Sequence, residues 1–181
     1  MVEVARDTAV LNADDPLVAA QRERTTASVL LFGTAAAADV RCQGVVPLDV
    51  RGYAIDLKTP AGFITAAVSG LGETTSSNAL AAAAASFAAG VTLSDIKTGL
   101  ANYQPVQGRL ERRVLPGEIV LVNDTYNANP QSTEAALRLL AELKGRHRAV
   151  AVLGDMGELG NSTQSVHRET GSLAARLGID F

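Results

Sequence analysis

The sequence predicts an α/β chain in two parts: a parallel sheet extended by an antiparallel β meander and helices, then a second β-α-β-α run. Three observations predict it. Apolar runs at residues 8–11 and 29–32 bracket a helical stretch, a β-α-β rhythm that implies parallel strands. Between residues 39 and 68, short β-forming segments are punctuated by glycine, as in a series of hairpins. From residue 119 onward, apolar runs again alternate with helical periodicity.

In chain order, Thr8-Ala9-Val10-Leu11 reads as a strand, followed by the polar turn Asn12-Ala13-Asp14-Asp15-Pro16. Residues 17–24 read as a helix with Pro16 at its start. Val29-Leu30-Leu31-Phe32 reads as a buried strand closed by Gly33. The meander follows, with segments at 45–46, 53–57 and 63–68 separated by Gly44, Gly52 and Pro60-Ala61-Gly62. Residues 78–89 are apolar on nearly every face and predict a buried helix, capped by Ser76 or Ser77 and ended by Gly90. Residues 93–102 predict a helix opened by Thr92 with Asp95 three residues on, a capping-box pattern.

Gln104-Pro105-Val106-Gln107-Gly108 has the composition of a linker. Beyond it, residues 109–114 and 119–123 flank the turn Leu115-Pro116-Gly117-Glu118. Ile119-Val120-Leu121-Val122 reads as a buried strand, residues 132–143 as an amphipathic helix with Ala136, Leu140 and Leu143 on one face, and Ala149-Val150-Ala151-Val152-Leu153 as a strongly buried strand. Val166, Thr170, Leu173 and Leu177 line a last helix ended by Gly178. The chain opens almost on a strand and stops at Phe181, where another is due, so the expectation is a piece of a longer chain.

Composition bounds the function. At 181 residues and 47% hydrophobic, the chain can build a core without staples, and with no Trp and 4% aromatics that core is Ala, Val and Leu. A net charge of −3 argues against nucleic acid or an anionic membrane as partner, since both select basic surfaces. Cys42 is the only cysteine, so no intramolecular disulfide forms, which fits a reducing compartment. The N-terminus has no basic or apolar leader region, and the most apolar window, residues 79–89, is shorter than the ~20 residues a bilayer needs. The expected location is the cytoplasm, with no membrane insertion.

The most informative stretch is Asp124-Thr125-Tyr126-Asn127-Ala128-Asn129-Pro130. It lies at a strand-to-helix switch, where α/β proteins place ligands. A carboxylate accepts from a ribose diol, an amide donates and accepts, and a phenol stacks or donates. The plainer alternative is a polar turn with Asn129 as helix N-cap and Pro130 at N1.

These segments together resemble the Mur ligase family. The resemblance is carried, in order, by Asn12-Ala13-Asp14-Asp15-Pro16, Ser77-Asn78-Ala79-Leu80-Ala81-Ala82-Ala83, Gly108-Arg109-Leu110-Glu111, the Asp124-to-Pro130 stretch, Val152-Leu153-Gly154-Asp155-Met156-Gly157-Glu158-Leu159-Gly160 and His167-Arg168-Glu169. It implies that residues 1–108 are the later part of a central ATP-binding domain and 109–181 the first part of a C-terminal Rossmann-like domain. It also implies an ATP-dependent amide ligase working through an acyl phosphate, with ATP and Mg²⁺ as cofactors. The Tyr126-Asn127-Ala128-Asn129-Pro130 core points to UDP-N-acetylmuramoyl-tripeptide and D-alanyl-D-alanine as the partners of the complete enzyme, in peptidoglycan precursor synthesis. The family's phosphate-cradling G-x-x-x-x-G-K-[ST] loop is expected upstream with most metal ligands. No Gly-Lys-Ser or Gly-Lys-Thr occurs here, so this stretch alone is expected to be inactive.

The resemblance implies site residues too. Arg109 is the candidate for the phosphate end and the catalytic role, because a guanidinium grips phosphate oxygens bidentately at any working pH. The alternative is a surface Arg in a row with Arg112 and Arg113. Asp124 is the candidate ribose ligand, or else a helix-initiating Asp. Asn78 is the candidate adenine or ribose contact, or else a helix N-cap. Asn12 and Asp15 match a nucleotide-side Asn-x-x-Asp, or else an Asx-turn before Pro16. Tyr126, Asn127 and Asn129 are candidates to line the nucleotide cleft. His167 reads as a surface or capping residue, and Cys42 has no His motif beside it to make it a nucleophile. One departure stands out. Where the family usually has Gly-Arg-His-Asn before Asn78, this chain has Gly72-Glu73-Thr74-Thr75, which removes the imidazole that would stack on adenine; Glu73 would repel phosphate. Two rival readings are a stand-alone nucleotide-binding module without catalysis and a folate polyglutamate-type amide ligase. The Tyr126-to-Asn129 core disfavours the second.

Overall fold

The computed structural model describes residues 2–48 and 52–180, and the side chain of Glu73 lies outside that description, as does the expected repulsion between Glu73 and phosphate. The chain divides into two compact units, Met1–Gln104 and Pro105–Phe181.

The first unit carries a five-stranded sheet in the order β1-β2-β3-β4-β5. Strands β1 (Thr8–Asn12) and β2 (Ser28–Gly33) pair in parallel across a short helix, α1 (Pro16–Ala19), that continues as a 3-10 turn to Arg24. β2 meets β3 (Val40–Pro47) in parallel over only two residue pairs, Phe32 with Val40 and Gly33 with Arg41. β3, β4 (Gly52–Thr59) and β5 (Gly62–Ser69) form the expected antiparallel meander, with Pro60-Ala61 as its tight turn. Gly44 does not separate strands: it sits inside β3 at a register shift beside Cys42. A bulge admits an extra residue without ending the ladder, which a glycine-as-breaker rule misses.

Alternation along the meander decides which face is buried. Ile55, Leu57 and Thr59 point inward on β4, and Ala66 and Val68 do so on β5. Helices α2 (Glu73–Ala88) and α3 (Leu93–Ala101) cover this face with Leu80, Ala83, Ala84, Ile96 and Leu100. The small alanines bring the α2 backbone close to the sheet. Ile55 and Leu57 are fully buried, and each contributes roughly 1.5–3 kcal/mol of transfer free energy.

Two expectations for α2 are corrected. The helix begins at Glu73, with Gly72 as its N-cap, so Ser76 and Ser77 lie inside the helix and neither is its N-cap. Buried residues recur at 79, 80, 83 and 84, while 77, 78, 82 and 85 are exposed, so the helix buries one face and not nearly all. An Ala-rich window has no contrast from which to read a face. The C-terminal expectation stands, with Gly90 at φ +81°. For α3, the Thr92 hydroxyl accepts from Asp95 N–H and donates to the Asp95 carboxylate.

The second unit holds a two-stranded antiparallel hairpin, β6 (Glu111–Leu115) and β7 (Ile119–Asn123), and two helices, α4 (Pro130–Lys144) and α5 (Thr163–Arg176). β7 is the strand expected at 119–122, but its apolar side chains are exposed rather than buried. Residues 149–153 form no strand, and Val152 is 93% exposed. Their apolar, β-branched composition suits a strand, yet no ladder partner lies beside them among the described residues, and a strand exists only by pairing. The nearest approach to pairing is at Ala149, whose carbonyl accepts from Asp180 N–H at 2.9 Å and whose N–H donates to the Asp180 carboxylate at 2.7 Å. On α4 the buried positions are Thr133, Leu137 and Leu139, while Ala136, Leu140 and Leu143 are half-buried beside them. The expected face of α5 is the half-buried one. Among the described residues, no helix is long and apolar enough to cross a membrane.

Candidate functional site

The expected site residues fall into two groups, one in each unit. In the first unit, Asn12 and Asp15 flank the loop leaving β1. Asn12 Oδ1 accepts from Asp14 N–H at 2.9 Å, an Asx-turn. Asp15 caps α1, accepting from Leu17 N–H at 2.8 Å and Val18 N–H at 3.1 Å. Between them stands Asp14, which the sequence reading passed over. Its carboxylate accepts from the N–H groups of Thr34 and Ala35 at 2.7 and 2.9 Å, tying this loop to the one leaving β2. Partial burial alone would raise the Asp14 carboxyl; the N–H groups of Thr34 and Ala35 outweigh it and hold the group below the usual carboxylate range. Gly33 permits the close approach: a Cβ there would stand 2.7 Å from the Asp14 carboxylate. Asn78 lies on the exposed face of α2, more than a turn inside the helix, so it is not an N-cap.

In the second unit the loop before β6 and the loop after β7 are stitched together. The strands pair Glu111 opposite Asn123, so residues 108–110 come alongside 124–126. Asp124 Oδ1 accepts from Leu110 N–H at 3.0 Å, and Tyr126 N–H donates to the Gly108 carbonyl at 3.0 Å. Arg109 lies between these two bonds, with its guanidinium carbon 4.0 Å from the Tyr126 ring centroid, a cation–π contact. The row of basic residues is broken by this geometry: Arg113 pairs with Glu111, whereas Arg109 stacks on Tyr126. Gly108 takes φ +75°, in the left-handed region that favours glycine, and a Cβ there would rest in ordinary contact with Tyr126 N at 3.4 Å.

Asn127 Oδ1 accepts from Ala128 N–H at 2.9 Å. Asn129 is the N-cap of α4 in a full capping box: its Oδ1 accepts from Ser132 N–H at 2.9 Å, and its own N–H donates to the Ser132 hydroxyl at 3.1 Å. Asp124 and Asn127 also stand on the wall of an open cavity of about 910 Å³ enclosed by β7, residues 150–156, α4 and α5.

Two further residues hold loops. His167 Nδ1 lies 2.7 Å from the Thr163 carbonyl, which puts the proton there and leaves Nε2 to accept Met156 N–H at 3.0 Å. That bond pins the 154–157 loop, so His167 is a loop anchor. Cys42 is half-buried, and burial pushes its thiol up, away from a nucleophile.

In the second unit a guanidinium, a phenol and a carboxylate thus gather where the loops beside β6 and β7 meet. Family models cover most of the chain: residues 2–86 match the Mur ligase middle domain, and residues 108–181 match the Mur ligase, glutamate ligase domain. The chain belongs to the Mur ligase family. Within that family, several of its relatives share one name. It is 43% identical over 130 residues to the UDP-N-acetylmuramoyl-tripeptide–D-alanyl-D-alanine ligase of Escherichia coli, covering 72% of this chain and 28% of that protein. The ligase of the same name from Mycobacterium tuberculosis is 33% identical over 178 residues, 94% of this chain and 34% of its own length. Among solved structures, MurF from Acinetobacter baumannii superposes with a TM-score of 0.83 at 32% identity, over 98% of this chain and 38% of that one. The chain thus spans about a third of the length of these relatives.

Proposed function

We propose that this chain is part of an ATP-dependent ligase that adds D-alanyl-D-alanine to UDP-N-acetylmuramoyl-tripeptide in the cytoplasm, for peptidoglycan precursor synthesis. Residues 1–108 are its later central, ATP-binding part and 109–181 the start of its C-terminal Rossmann-like part. The observation that carries this reading is the identity to ligases of that one name along both units. The Arg109–Tyr126 stack supports it by supplying an oriented cation.

In the proposed reaction the tripeptide carboxylate takes the γ-phosphoryl group of ATP, giving an acyl phosphate and ADP. The amine of D-alanyl-D-alanine then attacks the acyl carbon, phosphate leaves, and the amine gives up a proton. Arg109 holds phosphate oxygens and offsets the charge that develops on them. Tyr126 orients that guanidinium. Asp124 accepts from the ribose diol with the oxygen not committed to Leu110, and Asn127 lies beside it. Asn12, Asp15 and Asn78 in the first unit, and Asn129 in the second, are further candidates for nucleotide contacts, each considered within its own unit. Mg²⁺ would supply further positive charge to offset the phosphate oxygens. Among the described residues no three His, Cys, Asp or Glu side chains cluster to hold a metal, so no step is assigned to it here.

The test is phosphate release with ATP, Mg²⁺, UDP-N-acetylmuramoyl-tripeptide and D-alanyl-D-alanine, run on this chain and on the product of its full reading frame. Release that needs both substrates is expected from the second and not from the first. Arg109→Ala lowers the rate about 10²-fold, the usual loss for one transition-state donor. Activity independent of D-alanyl-D-alanine overturns the reading.

A second reading is a nucleotide-binding module without catalysis, which the same assay separates from the first. It predicts ATP binding without turnover from the full reading frame.

A further inference from the structure

The turn that presents Arg109 is held open at a conformational cost. Leu110, a non-glycine residue, takes φ +50°, in the left-handed region that an L side chain disfavours. Such strain persists only where the surroundings over-determine it. Here two carboxylates supply the restraint, one from each side of Arg109. Asp124 accepts Leu110 N–H on the far side. On the near side Glu111 Oε2 accepts Gly108 N–H at 3.3 Å. Gly108 is buried, so that N–H has no water to turn to, and losing its acceptor leaves a buried donor unsatisfied.

Glu111 is itself fixed on every side. Its Oε2 also accepts from Asn123 Nδ2 at 3.2 Å, its cross-strand partner in the hairpin. Its Oε1 receives Arg113 Nε at 2.8 Å and Nη2 at 2.7 Å. Arg113, with Asn123 and Gly108 N–H, holds the carboxyl below the usual carboxylate range, so it is charged and accepting at neutral pH.

We propose that Glu111 is a positioning residue: it sets the Gly108–Leu110 turn, and through it the Arg109 guanidinium on Tyr126, in the orientation that meets a nucleotide phosphate. The link to phosphate rests on the function proposed above; the positioning itself does not. Glu111 touches neither substrate nor reacting atoms in this scheme. It acts only through backbone and through Arg109.

The test separates the two. In the NMR spectrum of the chain, the Tyr126 ring displaces the Arg109 side-chain protons upfield, and this displacement reports the stack. In Glu111→Ala it is expected to collapse to the free-arginine position. In Glu111→Gln, whose amide oxygen still accepts Gly108 N–H, it is expected to survive. Amide signals from α4 and α5 monitor folding in both variants. A displacement that persists in Glu111→Ala overturns the proposal. A Gly108 amide that exchanges with solvent at the unprotected rate in the unmodified chain also overturns it, without any variant. ATP titration then addresses the functional reading. Loss of the stack with about tenfold weaker binding supports both ideas, since that is the size of one charge-assisted contact. Loss of the stack with unchanged affinity upholds Glu111 as positioner and removes Arg109 from the phosphate.

Discussion

Asp124 Oδ1 accepts the N–H of Leu110 at 3.0 Å, joining residues fourteen apart in sequence and tying the loop after β7 to the turn before β6. This bond makes Asp124 a brace for the Arg109 turn as well as a candidate ribose ligand. An Asp124→Asn variant keeps an acceptor for Leu110, whereas Asp124→Ala removes it. Both are expected to weaken ATP binding, Ala more than Asn, and calorimetric titration checks the order. Equal affinity in all three proteins would remove Asp124 from the nucleotide.

Tyr126 is 65% exposed, so its ring packs on Arg109 and adds little to the core. Tyr126→Phe retains the ring face and is expected to leave ATP affinity nearly unchanged. Tyr126→Ala is expected to weaken it about two- to fivefold, the size of an exposed cation–π contact. A Phe variant as weak as the Ala variant would assign the effect to the hydroxyl.

Gly108 and Gly117 both take positive φ, +75° and +78°. An added Cβ meets Tyr126 N at 3.4 Å at Gly108 and nothing within 4 Å at Gly117. Both Ala variants pay the left-handed backbone penalty of roughly 1–2 kcal/mol. Only Gly108→Ala is expected to disturb the Arg109–Tyr126 stack as well. Urea unfolding together with the Arg109 proton shifts distinguishes the two.

Acid should loosen both units. Asp14, Glu111 and Asp180 all titrate below their ordinary values of 3.8, 4.5 and 3.8. For Asp180 the causes are the Ala149 N–H and then Lys144, whose ammonium stands 3.0 Å away. A carboxyl with a depressed folded-state pKa stabilises the fold above its unfolded value, and that contribution is lost as pH falls through the folded value. Stability measured by urea unfolding is therefore expected to hold from pH 7 down to about 5 and to decline below the ordinary carboxylate range. Asp180→Asn should flatten the decline for the second unit; an unaltered slope would contradict the assignment.

Much of the local structure was legible because its causes act over a few residues. The Asn129 cap with Pro130, the Thr92–Asp95 pair and the Pro60-Ala61 turn follow from side-chain chemistry within one turn. Asn12 and Asp15 were correctly placed after a strand, and the plainer roles weighed for them are the ones their hydrogen bonds show. The face of α2 was not legible, since a run of alanines offers no contrast. Asp14 was overlooked because its partners, Thr34 and Ala35, lie twenty residues away.

By itself the amino-acid order determined the α/β class, the hairpins, the caps of α3 and α4 and the family resemblance, because propensity, periodicity and motif spacing are properties of neighbours along the chain. Only the tertiary structure decided that residues 149–153 stay unpaired, that Glu111 faces Asn123, and that Arg109 rests on Tyr126. Each of those depends on which backbone lies alongside which. Strand pairing and loop closure set that across long separations, where a hydrogen bond has no signature in sequence until both its ends are brought together.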